Sequence, residues 1–171
     1  MKPFGLIFLL IISPVVMGQP ATLQGNVLTI PQGAVIDSNN PTYFTDIRLN
    51  YKGNSTFTLV DAQAANLVFV DSVQIAILES FPVQINLTLK GNKSVPCVEL
   101  LPPAISKQDN LFVIVLAETQ LGTGESCITV IDPFETTFAL DVSGLTAGTY
   151  TVRVNGQVED KFTLEVNNSP R

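Results

Sequence analysis

Side-chain catalysis needs nucleophiles, bases or metal ligands within reach of one another, and this 171-residue chain contains no histidine. That removes Ser-His-Asp and Cys-His nucleophiles, His-ligated zinc and the commonest general base together. Carboxylates are the remaining acid-base candidates: Glu159 with Asp160, Asp132 with Glu135, and Asp141. A glycosidase would need two of them facing one sugar, yet alternation places Glu135 and Asp141 on the wet side of a strand, where carboxylates are solvated. There is no tryptophan, so a sugar-stacking platform reduces to Tyr43 and Tyr51, which alternate onto one strand face and are expected to serve as core or edge packing. Gly122-Thr123-Gly124-Glu125-Ser126 has the glycines of a phosphate loop but neither its lysine nor a following helix. Asp37, Ser38, Asn39 and Asn40 are oxygen-rich enough for calcium, but they lack ordered ligand spacing and read as turn chemistry. The expectation is no catalytic residue, no metal and no cofactor.

Cys97 and Cys127 are the only cysteines. They form no Cys-x-x-Cys motif, so a structural disulfide is expected, closing a loop of roughly 30 residues and stabilising by about 3–4 kcal/mol in the chain-entropy model. Disulfides persist in oxidising compartments, and the start of the chain agrees. Lys2, the apolar run Gly5–Ile12 and the small residues of Ser13–Gly18 have the order of a secretory signal peptide, cleaved after Gly18. No cysteine near that site offers a lipid anchor, and no later run is long enough to span a bilayer. A secreted or periplasmic protein without membrane insertion is expected. Removing the leader takes away Lys2 and leaves eight basic against fifteen acidic residues, a net charge of −7. Such a balance excludes nucleic acid and anionic membranes as natural partners. Asn54, Asn86, Asn92 and Asn167 open Asn-x-Ser/Thr triplets, which matter only in a eukaryotic host.

The elements that would position these residues are all strands. Residues 19–66 read as a β-rich section of three short strands: Val27–Ile30 ended by Pro31, Tyr43–Tyr51, and Ser55–Asp61 after a Lys52-Gly53-Asn54 turn. Alone they bury too little to be stable and should dock on the C-terminal domain or on a partner. The Ala-rich stretch Asp61–Asn66 reads as a boundary with room for one helical turn. Residues 67–166 then carry seven strands. In Asp71–Gly91, Val73, Ile75 and Ile77, and after the Glu79–Pro82 corner Val83, Ile85, Leu87 and Leu89, alternate with polar or small residues, the mark of strands with one buried face. Val98–Ile105, broken by Pro102-Pro103, is a weak edge. Asn110–Ala117 is apolar throughout and reads as a central strand covered on both sides. Phe134–Val142 alternates again. Thr149–Val154 and Lys161–Val166 form a hairpin turned at Asn155-Gly156, where both residues need positive φ. Gly144–Tyr150 has the form of a tyrosine corner. Residues 167–171 are expected to be a disordered tail. The fold class is therefore all-β: an immunoglobulin- or fibronectin-III-like sandwich of about seven strands, with Tyr150, Asn155 and Gly156 as structural residues.

Val70–Gly91, the cysteine pair, Pro133–Gly156 (PFETTFALDVSGLTAGTYTVRVNG) and Lys161–Val166 together resemble a small exported bacterial immunoglobulin-like domain of unassigned biochemistry. The likeness covers about 100 residues. The chain departs from it in lacking an anchor cysteine and in a longer terminal hairpin through Glu159-Asp160. The resemblance implies an extracytoplasmic sandwich and no particular activity. The leading expectation is a non-enzymatic module that contacts a protein or the cell envelope, with binding residues unassigned. The alternatives are inhibition of secreted or periplasmic proteases through Pro102-Pro103, Leu121–Ser126 and Leu145–Gly148, and carbohydrate binding through Tyr43 and Tyr51.

Overall fold

The computed structural model describes residues 19–37 and 40–169, so the leader over 1–18 lies outside the described residues. Twelve strands run in chain order: β1 (Thr22–Gln24), β2 (Val27–Val35), β3 (Thr42–Gly53), β4 (Thr56–Leu67), β5 (Phe69–Leu78), β6 (Gln84–Lys93), β7 (Ala104–Gln108), β8 (Leu111–Val115), β9 (Ala117–Glu118), β10 (Asp132–Leu140), β11 (Gly148–Val154) and β12 (Val158–Leu164). No helix occurs among the described residues, and none is long and apolar enough to cross a membrane.

The strands make a sandwich. One layer is the three-stranded sheet β10-β6-β5 and the other the four-stranded sheet β12-β11-β8-β7. Alternation explains the packing. Val73, Ile75 and Ile77 lie opposite Leu89, Leu87 and Ile85, which in turn face Thr136, Phe138 and Leu140 of β10. The apolar face so formed meets Phe112 and Ile114 of β8, Tyr150, Val152 and Val154 of β11, and Phe162 and Leu164 of β12. Burying a row of such side chains stabilises by about 1.5–3 kcal/mol each. The sheet of β8 and β11 is mixed: these two strands run parallel, because the β7–β8 hairpin turns β8 around. That departs from the wholly antiparallel immunoglobulin pattern while keeping the sandwich.

Local signals translate directly. Asn155 and Gly156 take φ of 51° and 69° at the β11–β12 turn, although β12 begins at Val158 rather than Lys161. The Tyr150 hydroxyl donates to the Thr146 carbonyl at 2.9 Å, completing the tyrosine corner, while its ring stacks on Phe162 at 5.3 Å. Cys97 and Cys127 are bonded, with Cα atoms 6.1 Å apart, tying the segment after β6 to the segment after β9.

Five expectations about the elements are corrected. The N-terminal strands are four rather than three and mostly long. β2 runs through Pro31, because beyond Thr29 its outer side has no partner strand and an edge position asks no N–H of proline. Asp61–Asn66 is strand, with no helical turn: its alanines are small enough to pair with Tyr43 and Phe44 of β3, and Asn66–Leu67 pair with β9. The edge expected over Val98–Ile105 begins only at Ala104, past the two prolines that cannot donate to a ladder. The tail is ordered at Asn167 and Asn168. Asn168 is buried; its side chain accepts from Val83 N and donates to the carbonyls of Val83 and Val142.

The N-terminal strands and β9 form a five-stranded sheet, β1-β2-β3-β4-β9. It docks through a second small core, in which Tyr43 packs with Val115 and Ala117. Consecutive residues at the β8–β9 junction therefore serve two cores, Ile114 and Leu116 facing the sandwich and Val115 and Ala117 the N-terminal sheet.

Candidate interaction surface

The β3–β4 hairpin turns at Gly53, Asn54 and Ser55, all with positive φ (88°, 50° and 57°). Its register lays a row of leucines across the sheet: Leu23 of β1 opposite Leu28 of β2, Leu28 opposite Leu49 of β3, and Leu49 opposite Leu59 of β4. Two residues further along, on the same face, Tyr51 lies opposite Phe57 with ring centroids 5.3 Å apart. The neighbouring row, on the other face, is Gln24, Val27, Asn50 and Thr58, and Thr22, Thr29, Arg48 and Asp61 come next. This half of the sheet is thus amphipathic, and its apolar face is open: Leu23 and Leu59 are each 65% exposed, Phe57 44% and Tyr51 40%. Neither hydrophobic core includes any of the six.

At the junction of the sheet with the sandwich lies a cleft of about 410 Å³ lined by Gln32, Asp46, Gln63, Glu118, Thr119 and Gln120, among others. Its chemistry is hydrogen bonding. Glu118 is buried and accepts from Ser94 N at 3.0 Å, and the Gln120 side chain donates to Ala64 O. A second groove of about 410 Å³ runs beside Leu67, Phe69, Lys93 and Ile131.

The expected chemical residues are held in local roles. Tyr43 is buried, and its hydroxyl donates to Pro102 O at 2.8 Å and lies 3.1 Å from Gln32 Oε1. Burial pushes its pKa up. It therefore makes no exposed platform with Tyr51, which corrects the carbohydrate geometry. Glu135 pairs with Lys90 at 3.1 Å, Asp132 with Lys93 at 2.8 Å, and Glu159 with Arg153; Asp160 accepts from Lys161 N. Asp141 accepts from the backbone N–H and the hydroxyl of Ser143, and the N–H bond first, then the hydroxyl, holds its carboxyl below the usual range. In the Gly122–Ser126 loop, Glu125 itself accepts from Gly122 N at 2.8 Å, so the loop's own carboxylate takes up that backbone donor. Of the oxygen-rich turn, Ser38 and Asn39 lie outside the described residues. Among the described residues no three Cys, Asp or Glu side chains approach closely enough to hold a metal ion.

Two of the three loops named for protease inhibition lie at opposite ends of the sandwich. Leu101 and Pro102 sit near Tyr43 and Val115, beyond the Val154 end of β11, whereas Leu145–Gly148 lies at the opposite end beside Asn167 and Asn168. Sequence reasoning missed the leucine row, because the residues meet only across four strands. It also missed the second role of Asn155, whose side chain is buried and pins two strand junctions. Its Nδ2 donates to Val68 O and Leu116 O, and its Oδ1 accepts from Leu116 N at 2.8 Å.

Among curated proteins and solved structures, none matches the chain. A family model does: the ORF11 beta-sandwich domain matches residues 71–164, the span from β5 to the last residue of β12. That span holds the strands of both sandwich layers together with β9, and on that match the chain belongs to the ORF11 beta-sandwich domain family.

Proposed function

We propose that this protein is an exported bacterial binding module without enzymatic activity, and that a protein or envelope partner seats on the open apolar face of its N-terminal sheet. The observation that carries this reading is the amphipathic half-sheet, with Leu23, Leu28, Leu49, Leu59, Tyr51 and Phe57 on one side and, Val27 apart, the polar rows Gln24-Asn50-Thr58 and Thr22-Thr29-Arg48-Asp61 on the other. Exposed apolar patches of several hundred Å² mark interaction sites in soluble proteins. Export rests on the leader-like residues 1–18 and on the Cys97–Cys127 bond, which suits an oxidising compartment. The test is capture from native envelope or medium on immobilised protein. The expected result is a retained partner that is lost with Leu59→Asp. Retention unchanged by that substitution, or turnover of ester, glycoside or peptide substrates above blank, would sink the reading.

A second reading keeps one observation. Ile128, Val130 and Ile131 are strongly exposed immediately after Cys127, an aliphatic segment tethered at its start by the disulfide and open to a protease cleft. Inhibition of a panel of secreted proteases, weakened by Val130→Asp, would favour it over the first.

A further inference from the structure

We infer that the partner on the apolar face is a second copy of this chain, paired sheet to sheet across a two-fold axis. The inference rests on the binding-module reading above and names its occupant. A two-fold interface uses one patch twice, so the patch must complement itself. The row Leu23-Leu28-Leu49-Leu59 does so, because four leucines in line read the same in either direction. With the axis parallel to the strands, Leu23 meets the partner's Leu59 at each edge and Leu28 meets the partner's Leu49 in the middle. Two sheets packed this way lie about 10 Å apart with strands within about 30°.

Charge favours the same occupant. The chain carries a net charge of −6, so two copies repel wherever acidic residues face each other. Arg48 and Asp61 register together in the row with Thr29 on the polar face, and Lys52 falls at the register shift between Tyr51 and Gly53, so the leucine row itself carries no charge. A basic partner would find no counter-charge on that row, whereas a second copy brings a matching apolar surface. Area agrees. With aromatic side chains of roughly 150–250 Å² and leucines somewhat smaller, the exposed parts of the six residues amount to on the order of 500 Å². Two copies would bury about 1,000 Å², the lower bound for a specific interface.

Sedimentation analysis of the oxidised protein tests the inference. The expected result is a reversible monomer–dimer equilibrium whose dimer fraction rises over about 10–100 μM, the weak affinity that an interface at the lower bound of area implies. Leu59→Asp and, independently, Leu23→Asp should each weaken pairing by at least about tenfold. Both residues are 65% exposed in the single copy, so the substitutions spare the cores, and an unchanged urea midpoint in dilute samples confirms folding. A wild-type protein that remains monomeric up to about 100 μM overturns the inference. So does a dimer indifferent to both substitutions. Capture of an envelope partner separates this failure from failure of the binding reading: if wild type is monomeric yet retains a partner that Leu59→Asp loses, the face binds something else. If neither pairing nor capture depends on the face, both fall.

Discussion

Asn155 does three things at once. Its backbone turns the β11–β12 hairpin with φ of 51°, its side-chain oxygen accepts from Leu116 N, and its amide donates to Leu116 O and Val68 O. Leu116 and Val68 are where β8 gives way to β9 and β4 to β5. At both points a strand leaves one sheet for another; Val68 N reaches Leu116 O directly at 3.3 Å, but Leu116 N and Val68 O are held by Asn155, and each orphan left in a buried site costs about 1–3 kcal/mol. Asn155→Ala should therefore destabilise by roughly 3 kcal/mol or more, read from urea denaturation. Asn155→Gly removes the same bonds but accepts positive φ freely, so it should be about 1 kcal/mol less damaging than alanine. Equal losses would mean that the turn is unstrained. Tyr150→Phe is a milder probe, since it deletes only the hydroxyl's contacts with Thr146, the 2.9 Å bond to its carbonyl and the 3.4 Å contact with its Oγ1, and should cost about 1 kcal/mol. Asp141 gives the acid limb. Its carboxyl pKa is depressed, so its stabilising contribution is present above the ordinary carboxylate pKa and is lost as pH falls through the folded value. The group is largely exposed, so the effect is well under about 1 kcal/mol; Asp141→Asn should flatten the stability profile below about pH 4.

The elements divide into those whose signals are local and those whose signals are not. Asn-Gly, the GLTAGTY corner and the alternation of Ile85, Leu87 and Leu89 carry their geometry within a few residues, so hairpin, corner and core face were all legible. The sandwich class followed from them. β4 was not legible past Asp61, because Ala-Gln-Ala-Ala has little strand propensity and becomes strand only beside Tyr43 and β9. Nor was the order at Asn168, whose partners Val83 and Val142 are 85 and 26 residues away. Alternation named Tyr43 and Tyr51 as sharing a face, but nothing in it tells which end of a strand another layer will cover. Gly91 carries an element-scale prediction. A Cβ there would lie 2.1 Å from Phe69 O and 3.0 Å from the Phe134 ring, so β5 approaches β6 over a position that only glycine fills. Gly91→Ala must push the backbone of β5 aside at its bulge between Val70 and Ser72, and a loss of about 2 kcal/mol or more is expected from overpacking. Differential scanning calorimetry would show it as a lower midpoint, and an unchanged midpoint would mean that β5 can yield there.

At the scale of the whole molecule, two cores share one continuous stretch of chain. Phe112, Ile114 and Leu116 serve the sandwich, while Val115 and Ala117 serve the dock of the N-terminal sheet. The smaller core holds three buried residues, Tyr43, Val115 and Ala117, with partly buried neighbours. A dock of that size opens more readily than the sandwich, because local stability follows the number of buried apolar contacts. Tyr43 makes the dock pH-sensitive. Its pKa is raised by burial, so the unfolded or undocked phenol ionises first; the dock is fully stable below about pH 10 and weakens as pH rises through the folded value. Amide exchange read strand by strand distinguishes the cores. Ile114→Ala and Val115→Ala both remove buried aliphatic atoms, at a cost on the scale of about 2–4 kcal/mol for a large truncation and less for valine. Ile114→Ala should raise exchange in β6, β8 and β11 together, since it weakens the layer contact itself. Val115→Ala should raise exchange in β2, β3 and β4 several-fold while leaving β6 and β11 close to wild type. High pH should act like Val115→Ala in wild type but not in Tyr43→Phe, after correction for the intrinsic rise of exchange with pH. If Val115→Ala instead accelerates every strand equally, the sheet and the sandwich open as one unit, and the stretch Leu111–Glu118 transmits stability between them rather than separating two thresholds.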